Sequence, residues 1–192
     1  MAKEVSFQGM FTIGVLLILA SVFTTMLVLN QTPYPSVSGL ATGIAKVNVT
    51  GIVAISLPVN SANFGDISPG SSDNTTDDSP PPFIVQNDGT VKVDVTIARD
   101  NESTPLFNGT GGGDNSTSFQ FKVDDNETDS INKEKSIINW TNVPGTTPLT
   151  FIGELKYQDN HDSARVDLLI NVPADEPPGL KNETLIFIAV QS

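Results

Sequence analysis

The 192-residue chain contains no cysteine and one histidine, His161. A disulfide framework, a thiolate metal site and a histidine-rich zinc site are all excluded, so any metal would need oxygen ligands. Basic residues are also scarce, 10 against 22 acidic ones, for a formal charge of −12 at pH 7. So acidic a chain repels phosphate backbones, and nucleic acid is excluded as a partner. The glycine run Gly109-Thr110-Gly111-Gly112-Gly113 has no lysine and precedes no helical pattern, so it reads as a flexible loop and not a phosphate cradle. No serine sits in a nucleophile-elbow pattern beside His161, which is expected in an exposed turn. No enzyme activity and no cofactor are expected.

Long apolar runs are absent except for one. Residues 9–29, GMFTIGVLLILASVFTTMLVL, carry no charge and as a helix would span roughly 30 Å of hydrocarbon. Thr12, Thr24 and Thr25 can bond back to the preceding turn. Lys3 precedes the run and the next cation is Lys46, so the positive-inside bias leaves residues 1–8 cytoplasmic and sends the remainder outside. The reading is a transmembrane helix or uncleaved signal anchor, with the bulk of the chain extracellular at the cell surface. A cleaved secretory signal is the alternative, with Val37-Ser38-Gly39 as a small-x-small candidate. Gln8-Gly9-Met10-Phe11-Thr12 also resembles a prepilin cleavage region, although no basic residue stands immediately before the glycine.

Residues 30–43, NQTPYPSVSGLATG, suit a short stalk. Residues 44–192, about 150 in number, suffice for one domain. From Ala45 to Leu57 apolar residues or glycine fill every odd position, which predicts a long half-buried strand with Gly51 at a bulge. Val91, Val93, Val95 and Ile97 repeat the alternation after Asn87-Asp88-Gly89, predicting a hairpin with Phe83-Ile84-Val85. Further strands are expected around Phe119 to Val123, Ile138 to Trp140, Phe151 to Tyr157 and Val166 to Ile170. Thr184 to Val190 is apolar on both faces, as befits a central strand or one covered by another subunit. Trp140 and Tyr157 are expected in the core. The polar stretches 66–82, 100–117 and 124–135 read as surface loops. About eight strands without alternating helices predict an all-β fold, an antiparallel β-sandwich of immunoglobulin-like or jelly-roll kind, with one N-terminal hydrophobic helix.

Nine Asn-x-Ser/Thr triplets occur, at Asn30, Asn48, Asn74, Asn101, Asn108, Asn115, Asn126, Asn139 and Asn182. With 16 asparagines and 36 serines and threonines in 192 residues, chance would supply about 3. The excess predicts a surface carrying N-linked glycans. Asp124, Asp125, Glu127 and Asp129 form an oxygen cluster that could hold calcium, but the glycine of an EF-hand loop is missing, and a solvated acidic loop is the plainer expectation.

Dense acceptor triplets, an acidic composition and no cysteine together resemble archaeal surface proteins. Phe64, Gly65, Ile67, Pro69 and Gly70, then Phe83, Val85, Asn87 and Gly89, resemble the pattern of camelysin and TasA-like biofilm-fibre subunits and archaeal bundling-pilus proteins. The turn Val172-Pro173-Ala174-Asp175-Glu176-Pro177-Pro178-Gly179 before the last strand is a second likeness. The resemblance implies a subunit of an extracellular filament or pilus, in which an N-terminal strand of one molecule completes the sheet of the next. Here residues 41–57 could donate. The retained helix departs from that pattern. Anchored β-sandwich proteins associated with the archaellum, which tether to the surface layer without polymerising, resemble the chain equally in layout. The expected partners are therefore the membrane, glycans, and either further copies of the chain or surface-layer proteins.

Overall fold

The computed structural model describes residues 7–31, 44–100, 104–113 and 115–192. Residues 1–6, most of the expected stalk (32–43), the whole Asn101 triplet (101–103) and residue 114 lie outside the described residues. The chain divides into two compact units, Met1–Asn48 and Val49–Ser192.

In the first unit, helix α1 (Phe7–Gln31) runs two residues beyond the expected end of the apolar run. Its segment Gln8–Leu27 has a mean hydropathy of 2.2 and none of it is buried. Thr12 Oγ donates to the Gln8 carbonyl and Thr25 Oγ to that of Ser21, both at 2.8 Å, so the hydroxyls are satisfied within the helix. Length and composition suit a membrane anchor and a signal sequence alike.

The second unit is a sandwich of two antiparallel sheets. The larger contains β1 (Ile55–Val59), β3 (Phe83–Asn87), β8 (Ser163–Asn171), β5 (Phe119–Asp125) and β6 (Thr141–Asn142), in that order. β2 (Ser72–Asn74) joins the edge of β8 that β3 uses nearer its start. The smaller sheet is β7 (Leu149–Leu155), β4 (Val93–Arg99) and β9 (Leu185–Gln191), in that order. Alternation along the strands sends Val93, Val95 and Ile97 inward from one sheet and Phe121, Val123, Val166 and Leu168 from the other. Phe121 meets Phe151 edge-on at 5.5 Å, Phe151 meets Phe187 at 5.7 Å, and Phe187 meets Phe83 at 6.0 Å, a ring chain that stitches the sheets together.

The sandwich and its apolar helix are as expected, but several local expectations are corrected. β3 and β4 do not form a hairpin; they lie in different sheets. Asn87 is the reason. Its side chain is 1% exposed, accepts the Gly89 N–H at 3.0 Å, and donates to the carbonyls of Val91 (2.9 Å) and Leu155 (3.1 Å). The Asx turn so made carries the chain across the sandwich instead of folding it back. The same holds for residues 156–162, where His161 lies half-buried between strands of opposite sheets, with Nδ1 against the Thr128 carbonyl.

The long strand expected over residues 45–57 is also corrected: only β1 forms, and residues 44–54 have no ladder. Alternation supplied an apolar side, but among the described residues no neighbouring strand lies along it. Gly51 marks no bulge; it lets the backbone pass beside Val91, whose Cγ1 would stand 2.4 Å from an added Cβ. The strand expected at Ile138 to Trp140 forms instead at β6. Residues 66–82 are not merely a surface loop. They supply β2 and the fully buried Thr75, whose hydroxyl donates to Asp167 (3.1 Å) and accepts the Leu168 N–H (3.0 Å). Residues 124–135 likewise bury Ser130 and Ile131.

Candidate functional site

Strand β9 is the last strand of its sheet, paired with β4 alone. Asp100 N donates to Thr184 O and Ser192 N to Lys92 O, which fixes the ladder parity. Ile186, Ile188 and Val190 therefore turn their backbone groups to β4, whereas those of Leu185, Phe187, Ala189 and Gln191 point away from it. Among the described residues no strand meets that edge. The central-strand reading of this segment is thus corrected, and both faces are nonetheless apolar. Leu185, Phe187 and Ala189 pack on the core, while Ile186, Ile188 and Val190 face outward, Ile188 with 47% of its surface exposed.

The opposite edge of the sheet is treated differently. Residues 130–137 run along β7, with Asn132 N donating to Gly153 O, Ile137 N to Phe151 O and Lys156 N to Ser130 O. Val123 N donates to Ile137 O, joining this cover to the larger sheet. Gly153 permits it, because an added Cβ would stand 2.4 Å from Lys135 Cβ. One flank of the sandwich is closed and the other open. Beside Leu185 on the open flank lies a cleft of ≈ 800 Å³ lined by Phe64, Ile67, Phe83, Leu168 and Ile170. Gly65 and Gly70 bend the cleft loop through φ of 66° and 81°, and Gly70 N donates to Val172 O at 2.9 Å.

Of the segment without a ladder, residues 44–48 belong to the first unit and residues 49–54 to the second. Val47 is 87% and Val49 84% exposed. Within the second unit the stretch is tied down at Ile52, whose N–H donates to Thr90 Oγ and whose carbonyl accepts Thr90 N–H, each at 2.9 Å.

The expected glycan acceptors map onto this frame. Asn48, Asn108, Asn115, Asn126, Asn139 and Asn182 are exposed, Asn74 is half-buried in β2, and Asn30 lies in the last turn of α1. None falls on β4, β7 or β9. The triplets are not all equally free. Asn126 Nδ2 donates to Ser163 Oγ at 2.9 Å, and Thr110, in the Asn108 triplet, is bound by Asp175.

The four acidic residues considered for calcium do not converge. Asp124 and Asp125 pair with Lys133 at 3.0 and 2.9 Å, and Asp125 also accepts Ser130 Oγ and Ile131 N–H. Burial pushes both carboxyls up, but Lys133 pulls them below the ordinary range. Glu127 turns the other way to accept the N–H groups of Asp162 and Ser163, and Asp129 occupies a left-handed turn position. Among the described residues no group of three metal-capable side chains is assembled. Trp140 and Tyr157 are not core residues: Trp140 is half-buried beneath Lys122 Nζ, 5.0 Å from the ring centroid, and Tyr157 is exposed. Nor is Gly109 to Gly113 a free loop, since Gly112 N donates to Gly109 O and Gly113 N to Phe107 O, both at 2.8 Å.

Compared with known proteins, the chain matches no family model and no curated protein.

Proposed function

We propose that the chain is a non-enzymatic structural protein of the cell surface, anchored by α1 and bearing N-linked glycans, whose sandwich assembles into an extracellular filament by strand complementation. Residues 44–54 of one copy add to the bare edge of β9 in the next. One juxtaposition carries the reading: an edge with apolar residues on both faces beside a cleft lined by apolar side chains together with Glu176, Lys181 and Asn182, in a chain whose own alternating segment has no strand partner among the described residues. Added there, Val47 and Val49 would fill the cleft, and Lys46, Asn48 and Thr50 would face water. Strands β4, β7 and β9 themselves carry no acceptor triplet, while Asn182 stands among the residues lining the cleft.

The tether reading rests on α1, which a non-polymerising anchored module would keep. Negative-stain microscopy of the native surface, with mass spectrometry of the mature N-terminus, separates the two. Ordered fibres are expected, lost in a Val47→Asp, Val49→Asp variant whose domain still folds because both residues are exposed. Monomeric particles retaining the whole helix would overturn the filament.

A further inference from the structure

The triplet Asn108-Gly109-Thr110 is held at four points by two adjacent carboxylates. Glu176 Oε2 accepts the N–H groups of Asn108 (2.8 Å) and Gly109 (2.7 Å). Asp175 accepts the Thr110 N–H at 2.7 Å and, through its other oxygen, the Thr110 hydroxyl at 2.6 Å. Glu176 is buried and also paired with Lys181. Gly109 is needed for the fit, since an added Cβ would stand 2.6 Å from Asp175 Oδ1 and 2.7 Å from Pro173 Cβ. The Asn108 side chain itself remains exposed.

An acceptor triplet is defined as much by its third residue as by its asparagine, so the transferring enzyme must read that hydroxyl. In the folded chain the Thr110 hydroxyl is already donated and the backbone on both sides is fixed. We propose that Asn108 accepts a glycan only before the domain closes, and that Asp175 is the residue that withdraws the triplet afterwards. The inference rests on the reading that these triplets are glycosylated. In the transfer, Asn108 Nδ2 bonds to the anomeric carbon of a sugar carried on a lipid phosphate. The sugar–oxygen bond breaks, the lipid phosphate leaves with the electron pair, and one amide proton passes to a base. Asn48 is the contrasting case, exposed together with Val49 and Thr50 and with no hydrogen bond to its side chain among the described residues.

The test offers the full unglycosylated chain, in detergent, to a purified single-subunit oligosaccharyltransferase with a lipid-phosphate-linked oligosaccharide. Mass spectrometry follows modification of Asn108 relative to Asn48. In the folded wild type Asn108 should react at least tenfold more slowly than in Asp175→Ala, in Gly109→Ala, or in a synthetic peptide of residues 104–112. Circular dichroism checks that both variants stay folded; Asp175 is exposed, so its loss leaves the core intact. A wild-type rate matching the peptide, or an Asp175→Ala rate unchanged from wild type, overturns the proposal. Native protein bare at every acceptor would instead sink the glycan reading, whatever the rates in vitro.

Discussion

Asn87 is a polar side chain at the centre of an apolar sandwich, and its three hydrogen bonds decide where the chain changes sheet. Asn87→Ala would leave the buried Leu155 carbonyl and the half-buried Val91 carbonyl without this donor and the Gly89 N–H without an acceptor, a loss of about 3 kcal/mol. Urea unfolding followed by Trp140 fluorescence measures it; a loss under about 1 kcal/mol would show that water replaces the side chain. A second residue-scale effect is electrostatic. Burial, and then the carboxylate of Glu127, push the Asp162 carboxyl above its ordinary 3.8. Between 3.8 and the raised value the folded chain holds a proton that the unfolded chain has released, so stability from this group falls as pH rises through that window. Glu127 runs oppositely: burial pushes it up, but the N–H groups of Asp162 and Ser163 bring it below 4.5, so its contribution is lost as pH falls through the lowered value. Asp162→Asn should therefore raise the melting temperature at pH 7, and melting curves from pH 4 to 7 should show a smaller decline than wild type.

At the scale of elements, period-two patterning located the cores of β4, β5, β7 and β8, because a half-buried strand must alternate, and a run apolar on both faces located β9. It could not say which strands pair. Asn87-Asp88-Gly89 has the chemistry of a two-residue hairpin and of an Asx corner, and only the burial of Asn87 distinguishes them. Nor could it show that Val47 and Val49 stay unpaired, since alternation records a potential for burial and not a partner. The bare edge of β9 was half visible: its two apolar faces stand in the sequence, but edge position depends on strand order. The polar stretch 66–82 gives no apolar signal because the residues it buries are a threonine, Thr75, and a proline, Pro82. Thr75 anchors the stretch by bonding Asp167 and Leu168, and Arg165 reinforces it through Asp167 (2.9 Å) and the Thr75 carbonyl (2.7 Å). Thr75→Val keeps the shape but removes an acceptor from a buried N–H, so a destabilisation of about 2 kcal/mol is expected. Hydrogen exchange should report it first at Leu168, whose amide would lose protection; an unchanged rate there would mean β2 is held by its ladder alone.

For the whole molecule, the controlling quantity is a formal charge of −12 at pH 7, carried by every copy alike. The proposed strand addition between copies would bring like charges together while burying apolar side chains, so the two effects would oppose. Raising ionic strength from 0.01 to 1 M shortens the screening length from about 30 Å to about 3 Å. The repulsion fades over that range, whereas burial of Val47, Val49 and the face of β9 is not screened. Assembly should therefore accelerate steadily with sodium chloride, reaching at least tenfold between 0.05 and 1 M by light scattering of purified chain. An interface built on complementary ion pairs would respond in the opposite sense, because salt weakens attraction between exposed opposite charges. The lysines of the second unit are largely committed within each copy: Lys92 to Glu154, Lys133 to Asp124 and Asp125, Lys181 to Glu176. Few cations remain to answer a neighbour's carboxylates, and association that slows as salt is added would exclude the β9 edge as the site where copies join.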